Sequence, residues 1–212
     1  MPAKKNILPL LKALQKLYPQ HIIPLHHKNA WELLCAVILS AQCTDARVNT
    51  ITPHLFKKYP TVQDLAQADI KEVEKIIHSA GFYHSKALSL IEMSKRICDV
   101  YNGEVPQTME DLLSLRGVAR KTANVMLGDY FKKPAGIVVD THVKRLAFRL
   151  GLTQHTDPVK IEKDLTKVIP YKYWGWIAIA LILHGRSICP ARKPQCSVCA
   201  LAKFCPQHGI AH

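Results

Sequence analysis

The chain has 212 residues, 48% hydrophobic and 21% charged, which is enough for one large or two small globular domains, each with its own core. Lys and Arg number 29 against 16 Asp and Glu, a formal charge of +13, which favours a polyanionic partner: nucleic acid first, an anionic membrane second. The basic residues form no polybasic tail, and the longest apolar run, Trp176 to Leu183, falls far short of the roughly 20 residues that cross a bilayer, so a membrane role is set aside.

Nearly every periodic segment has helical spacing. Met1 to Lys5 lacks the apolar stretch and small-residue cleavage site of a signal peptide and leads into an amphipathic helix over Ile7 to Leu17. This implies a cytoplasmic, reducing setting, where seven cysteines are not expected to form disulfides. A loop over His21 to Lys28 precedes a buried helix over Trp31 to Ala41. Next comes a helix over Thr44 to Tyr59, bounded or kinked at Pro53. Asp69 to Ala80 opens like a capping box, with Asp69 and Glu72, and stops at Gly81. Tyr83 to Tyr101 is long and amphipathic. Met109 to Leu115 and Ala119 to Phe131 flank a tight turn, and Ile137 to Val139 is an extended connector. Helices follow over Thr141 to Leu150, from Asp157-Pro158 to Val168, and over Tyr173 to Arg186. No segment alternates like a strand, so the fold class is all-α.

The turn Leu115-Arg116-Gly117-Val118-Ala119-Arg120-Lys121 is the first candidate site. Backbone N–H groups at the start of its second helix are free to bind an anion. Lys121 lies in that helix's first turn, beside the positive end of the dipole and next to Arg120, and both neighbours favour the neutral amine. A nucleophilic lysine beside a phosphate-binding hairpin suggests covalent chemistry on a nucleic acid; a solvated amphipathic hairpin is the plainer reading. Asp140 opens the helix at Thr141, either as its N-cap or as a buried carboxylate that stabilises a sugar cation or moves a proton. Gln42, at the tip of Ser40-Ala41-Gln42-Cys43, could enter a duplex and fill the space left by an extruded base. Phe82, in a second short loop, reads from the residues alone as a core side chain.

Three cysteines, Cys35, Cys43 and Cys98, lie in helical segments as core residues. The other four, Cys189, Cys196, Cys199 and Cys205, crowd the end of the chain. Four thiolates so spaced bind zinc or an iron–sulfur cluster. With only one short knuckle, the wider span suits a [4Fe–4S] cubane better than one tetrahedral ion. Arg192, Lys193 and Lys203 supply positive charge to compensate an anionic cluster or to meet DNA phosphates.

Taken together, these motifs resemble the endonuclease III family of helix-hairpin-helix DNA glycosylases over essentially the whole chain. Leu115 to Lys121 is similar to the family's hairpin, with Lys121 at the nucleophile position. Val139-Asp140-Thr141-His142 is similar to the segment bearing the catalytic aspartate, Leu39 to Gln42 to the loop whose glutamine wedges into DNA, and the cysteine spacing to the iron–sulfur loop. The resemblance implies a six-helix barrel over residues 23–133 and a discontinuous cluster domain over 1–22 and 134–212, flanking a DNA-binding cleft. It implies a monomer that flips damaged pyrimidines or abasic sites out of double-stranded DNA, with Gln42 and Phe82 propping the gap. Lys121 forms a Schiff base, Asp140 assists, and the backbone from Gly117 to Ala119 holds a phosphate. Arg116, Arg120 and Lys193, and more weakly Arg145 and Arg149, are the expected further DNA contacts.

The chain departs from the family pattern where Arg116 replaces a proline, Ala119 a second glycine and Phe82 a leucine. Alanine at 119 is expected to resist a positive φ. Two competing readings are an adenine-removing mismatch glycosylase and a non-catalytic iron–sulfur DNA-binding protein. The first has a glutamate where this chain has Ala36 and lacks the nucleophilic lysine; the second leaves Lys121 and Asp140 without a role.

Overall fold

The computed structural model describes residues 7–19 and 23–210. The readings made on Met1 to Lys5 and on His21 and Ile22 fall outside the described residues. Among the described residues the structure is helical throughout, without strands, and no helix is long and apolar enough to cross a membrane. The chain divides into two compact units, one of Ile23–Phe131 and one of Met1–Ile22 with Lys132–His212.

In the contiguous unit, α2 (Ala30–Leu39) is the central helix. Asn29 caps it by accepting the Glu32 N–H at 2.8 Å, and almost every side chain that follows is buried, Leu33, Leu34 and Leu39 completely. A helix apolar on all faces has to be surrounded, and here α3 (Asp45–Lys58), α6 (Tyr83–Tyr101) and α8 (Arg120–Val125) pack around it. Thr44 caps α3, which runs unbroken through Pro53. The short helix α4 (Val62–Ala66) has no apolar period long enough to read in the sequence. Its signal is instead a closed capping box, in which Thr61 accepts from the Asp64 N–H and Asp64 from the Thr61 N–H.

Asp69 caps α5 (Ile70–Ile77), but the expected box stays open, because the Glu72 carboxylate turns instead to Lys58 at 2.7 Å and Tyr59 at 3.2 Å. After a 3₁₀ turn over His78–Ala80, α6 runs from Tyr83 to Tyr101 as expected. The helix α7 (Met109–Leu113) ends two residues earlier than its spacing suggests. Beyond α8 the helix widens into a π-helical turn over Met126–Tyr130.

The other unit is built on α9 (Thr141–Arg149) against α11 (Trp174–Ser187), joined by α1 (Leu8–Leu17) and α10 (Pro158–Val168). Leu11, Leu14, Leu146, Ile161, Leu165 and Leu181 form its core. Asp157 caps α10 with Pro158 in the first helical position. After α11 the chain carries all four late cysteines through a loop with two 3₁₀ turns, Cys196–Val198 and Ala202–Phe204.

Candidate functional site

In the contiguous unit three loops hold the predicted residues. The hairpin between α7 and α8 turns at Gly117, whose φ is +80. A Cβ built there would lie 2.8 Å from Ser89 Cβ and 3.1 Å from Ser89 Oγ on α6, so the hairpin lies against α6 at a distance only glycine permits. Val118 buries its side chain and donates its N–H to Leu115 O at 3.1 Å, which closes the turn from inside. Ala119 has φ −92 and ψ 170, an extended N-cap position open to any residue, so the expected conflict with a positive φ does not arise. Arg116 does not reach outward unpaired: its guanidinium sits 3.0 Å from Glu92, a half-exposed pair worth at most about 1 kcal/mol. Arg120 and Lys121 open α8 on its exposed side. The first hydrogen bond inside this helix runs from Ala123 N–H to Ala119 O at 3.0 Å, so geometry gives the first-turn N–H groups no partner within the helix.

Gln42 and Phe82 are both exposed and both left-handed, with φ +54 and +48. Phe82 is 68% exposed, which corrects its reading as a core residue: Gly81 and Phe82 form a tight link between the 3₁₀ turn and α6, and this turns the ring outward. Non-glycine residues rarely hold that conformation unless their surroundings impose it. Carbonyls of the segments that precede these two residues converge on Lys86, which belongs to none of the motifs above. The side chain is 6% exposed, and its ammonium donates to Leu39 O at 2.8 Å, Ala41 O at 2.7 Å and Ala80 O at 2.9 Å. Burial lowers its pKa from the usual lysine value. The signal was present in the helical spacing, since Lys86 shares the apolar face of Leu90, Met93 and Ile97, where a lysine needs partners.

In the discontinuous unit, Asp140 caps α9, accepting the Val143 N–H on Oδ1 at 2.8 Å. It is half-buried rather than buried, and the cap fixes its side chain at the start of α9. Arg145 and Arg149 are not outward-facing DNA contacts. Arg145 donates to the carbonyls of Gly185 and Cys189. Arg149 is 7% exposed and donates to Pro190 O at 2.7 Å, Ala191 O at 2.9 Å and Cys189 Sγ at 3.1 Å. These two guanidiniums hold the start of the cysteine loop, while Lys193 lies exposed on it with φ +50.

Cys189, Cys196, Cys199 and Cys205 line one cavity with Arg149 and His184. His184 accepts or donates between Tyr18 Oη at 3.1 Å and Cys199 Sγ at 3.4 Å, and Cys205 Sγ lies 3.2 Å from Arg149 O. Burial raises the pKa of the Cys199 and Cys205 thiols, so a bound cation is what would stabilise them as thiolates. Among the described residues no group of three or more His, Cys, Asp or Glu is placed to hold a metal ion. The donor set itself, four soft sulfurs around a cavity backed by a guanidinium, fits an anionic iron–sulfur cluster.

A sequence profile of the HhH-GPD superfamily base excision DNA repair proteins matches residues 35–171. Endonuclease III of Synechocystis sp. is 51% identical over 203 residues, which span 96% of this chain and 93% of the relative. Endonuclease III of Bacillus subtilis is 41% identical over 95% of this chain and 92% of its own. A solved endonuclease III, trapped as a covalent intermediate with DNA, superposes with a TM-score of 0.90 at 42% identity and covers 98% of this chain and 97% of its own. The chain therefore belongs to the endonuclease III family of the HhH-GPD superfamily.

Proposed function

We propose that the chain is a bifunctional DNA glycosylase and AP lyase of base excision repair, which removes oxidised pyrimidines from double-stranded DNA and cleaves the strand at the resulting abasic site. The observation that carries this reading is Lys121, an exposed primary amine in the first turn of α8, directly after a glycine-hinged hairpin, in a chain that matches endonuclease III along 96% of its length.

A stacked base is out of reach of an amine, so the nucleotide has to be turned out of the duplex. Gln42 and Phe82 take the vacated space, and the hairpin backbone from Gly117 to Ala119 holds a phosphate. The Lys121 amine attacks C1′ and the N-glycosidic bond breaks with its electrons leaving on the base, which is protonated as it departs. Opening of the sugar ring at O4′ leaves a protonated Schiff base between Lys121 and C1′. That imine acts as an electron sink: a proton is lost from C2′ and the 3′ phosphate leaves by β-elimination. Asp140, oriented through its bond to the Val143 N–H, stabilises positive charge on the sugar or takes the proton shed by the attacking amine.

Cys189, Cys196, Cys199 and Cys205 would hold a [4Fe–4S] cluster, which when bound would cross-link the loop after α11. Arg149 and Arg145 would anchor that loop, and Lys193 would meet a DNA phosphate. In this reading Ile23–Phe131 is the barrel domain carrying the hairpin, the remaining residues form the cluster domain, and the enzyme works as a cytoplasmic monomer.

The test is a duplex carrying thymine glycol. Free base and a strand break at the lesion are expected together, and both are expected to vanish in Lys121→Ala. Base release without a strand break would favour a monofunctional glycosylase, and binding without base release a non-catalytic protein.

A further inference from the structure

Gln42 and Phe82 belong to different loops, about forty residues apart in the chain. Each follows directly on a segment whose carbonyls bond one nitrogen. Lys86 Nζ reaches Leu39 O and Ala41 O on the Gln42 side and Ala80 O on the Phe82 side. An ammonium has three protons and no acceptor, so these bonds saturate it. Its carbonyl partners are groups that helix geometry leaves over: Leu39 is the last residue of α2 and Ala80 ends the 3₁₀ turn, and both ends are electronegative. Among the described residues no carboxylate is paired with Lys86. The backbone adds a fourth tie, since the Lys86 N–H donates to Phe82 O at 3.1 Å. The two left-handed tips therefore share one buried anchor.

We propose that Lys86 is a positioning residue that joins the Gln42 and Phe82 loops into a single wedge, so that the two side chains enter a duplex as a pair with fixed spacing. This rests on the reading that both residues enter DNA. A wedge of two independent loops would lose entropy twice on insertion, whereas one clamped by an ion is already ordered. Arginine does not substitute for Lys86, because a flat fork cannot direct three donors at three carbonyls around one point.

Single-turnover cleavage of two duplexes tests this, one with thymine glycol opposite adenine and one with thymine glycol opposite a tetrahydrofuran abasic analogue. In the second no opposite base has to be displaced, and a wedge matters less. K86M is expected to slow cleavage of the first duplex at least about tenfold, a loss near 1.4 kcal/mol. Its defect on the second is expected to be several-fold smaller, and K86R is expected to behave like K86M. In the Q42A/F82A background, K86M is expected to add almost nothing on the paired duplex. Should K86M fail to fold by circular dichroism, K86Q keeps two donors on a shorter stem and is expected to show the same duplex dependence at smaller amplitude.

Equal slowing on both duplexes, or a K86M factor that multiplies undiminished on Q42A/F82A, would show a merely structural lysine and overturn the clamp. Wild-type rates for Q42A/F82A on the paired duplex would instead overturn the wedge, and the clamp with it.

Discussion

Replacing Gly117 by alanine isolates the part of the hairpin that geometry constrains most. Two costs can be worked out. A side chain at φ +80 costs about 1–2 kcal/mol in backbone strain. A Cβ 2.8 Å from Ser89 Cβ adds an overpacking cost of about 1–3 kcal/mol, because the contact is with the root of a helix side chain and not with a flexible end. Together G117A is expected to lose about 2–5 kcal/mol, read in urea unfolding as a lower midpoint at unchanged slope. The two costs separate in a double-mutant cycle. S89G carries its own helix cost of about 0.5 kcal/mol but removes the clashing atoms. G117A and S89G together should therefore be more stable than the sum of the two by about 1–3 kcal/mol, with the φ cost remaining. A G117A protein within about 0.5 kcal/mol of wild type, or a coupling of zero, would refute the claim that the hairpin is pressed against α6.

Other expectations follow from particular contacts. Asp140→Asn keeps a side-chain oxygen for the Val143 N–H, so thermal stability should hold while cleavage falls by about two orders of magnitude or more. Asp140→Ala should lose about 1 kcal/mol of stability as well, and equal activity for Asn and wild type would leave Asp140 as a cap alone. Arg149→Met removes the donor to Pro190, Ala191 and Cys189, and should lower iron and sulfide per chain measured chemically after purification.

The Lys58–Glu72 pair gives a pH signature. The hydrogen bond from Lys58 lowers the Glu72 pKa, and the same bond raises that of Lys58. Its contribution is therefore fully present only above the ordinary carboxylate range and below the ordinary lysine range. It is lost as pH falls through the lowered Glu72 value or rises through the raised Lys58 value. The small stability difference between wild type and E72Q at neutral pH should close at both extremes. DNA affinity should fall with salt by about 0.9 log units per log unit of salt for each phosphate neutralised, measured by fluorescence anisotropy.

Periodicity carried most of the helices, because long amphipathic stretches such as Tyr83 to Tyr101 and strong caps such as Asp157-Pro158 act locally. The helix α4 leaves no such mark, because five residues hold too little apolar period, and its capping box alone defines it. The glycine-hinged hairpin, the N-cap at Asp140 and the cysteine cluster could all be read from spacing. What could not be read was who partners whom across the fold. Arg149 and Arg145 looked like surface cations, yet their guanidiniums point inward onto carbonyls some forty residues away. Phe82 looked apolar and therefore internal, but its exposure follows from a two-residue link held from behind by Lys86. These placements depend on long-range contacts, which leave no period in the sequence.

Borohydride trapping on a thymine glycol duplex shows whether Lys121 is the nucleophile. Reduction during turnover should leave a stable protein–DNA adduct, with the modified lysine mapped by peptide mass to Lys121 and no adduct in Lys121→Ala. An adduct that persists in Lys121→Ala would place the nucleophile on another residue, and base release with no adduct at all would exclude a Schiff base.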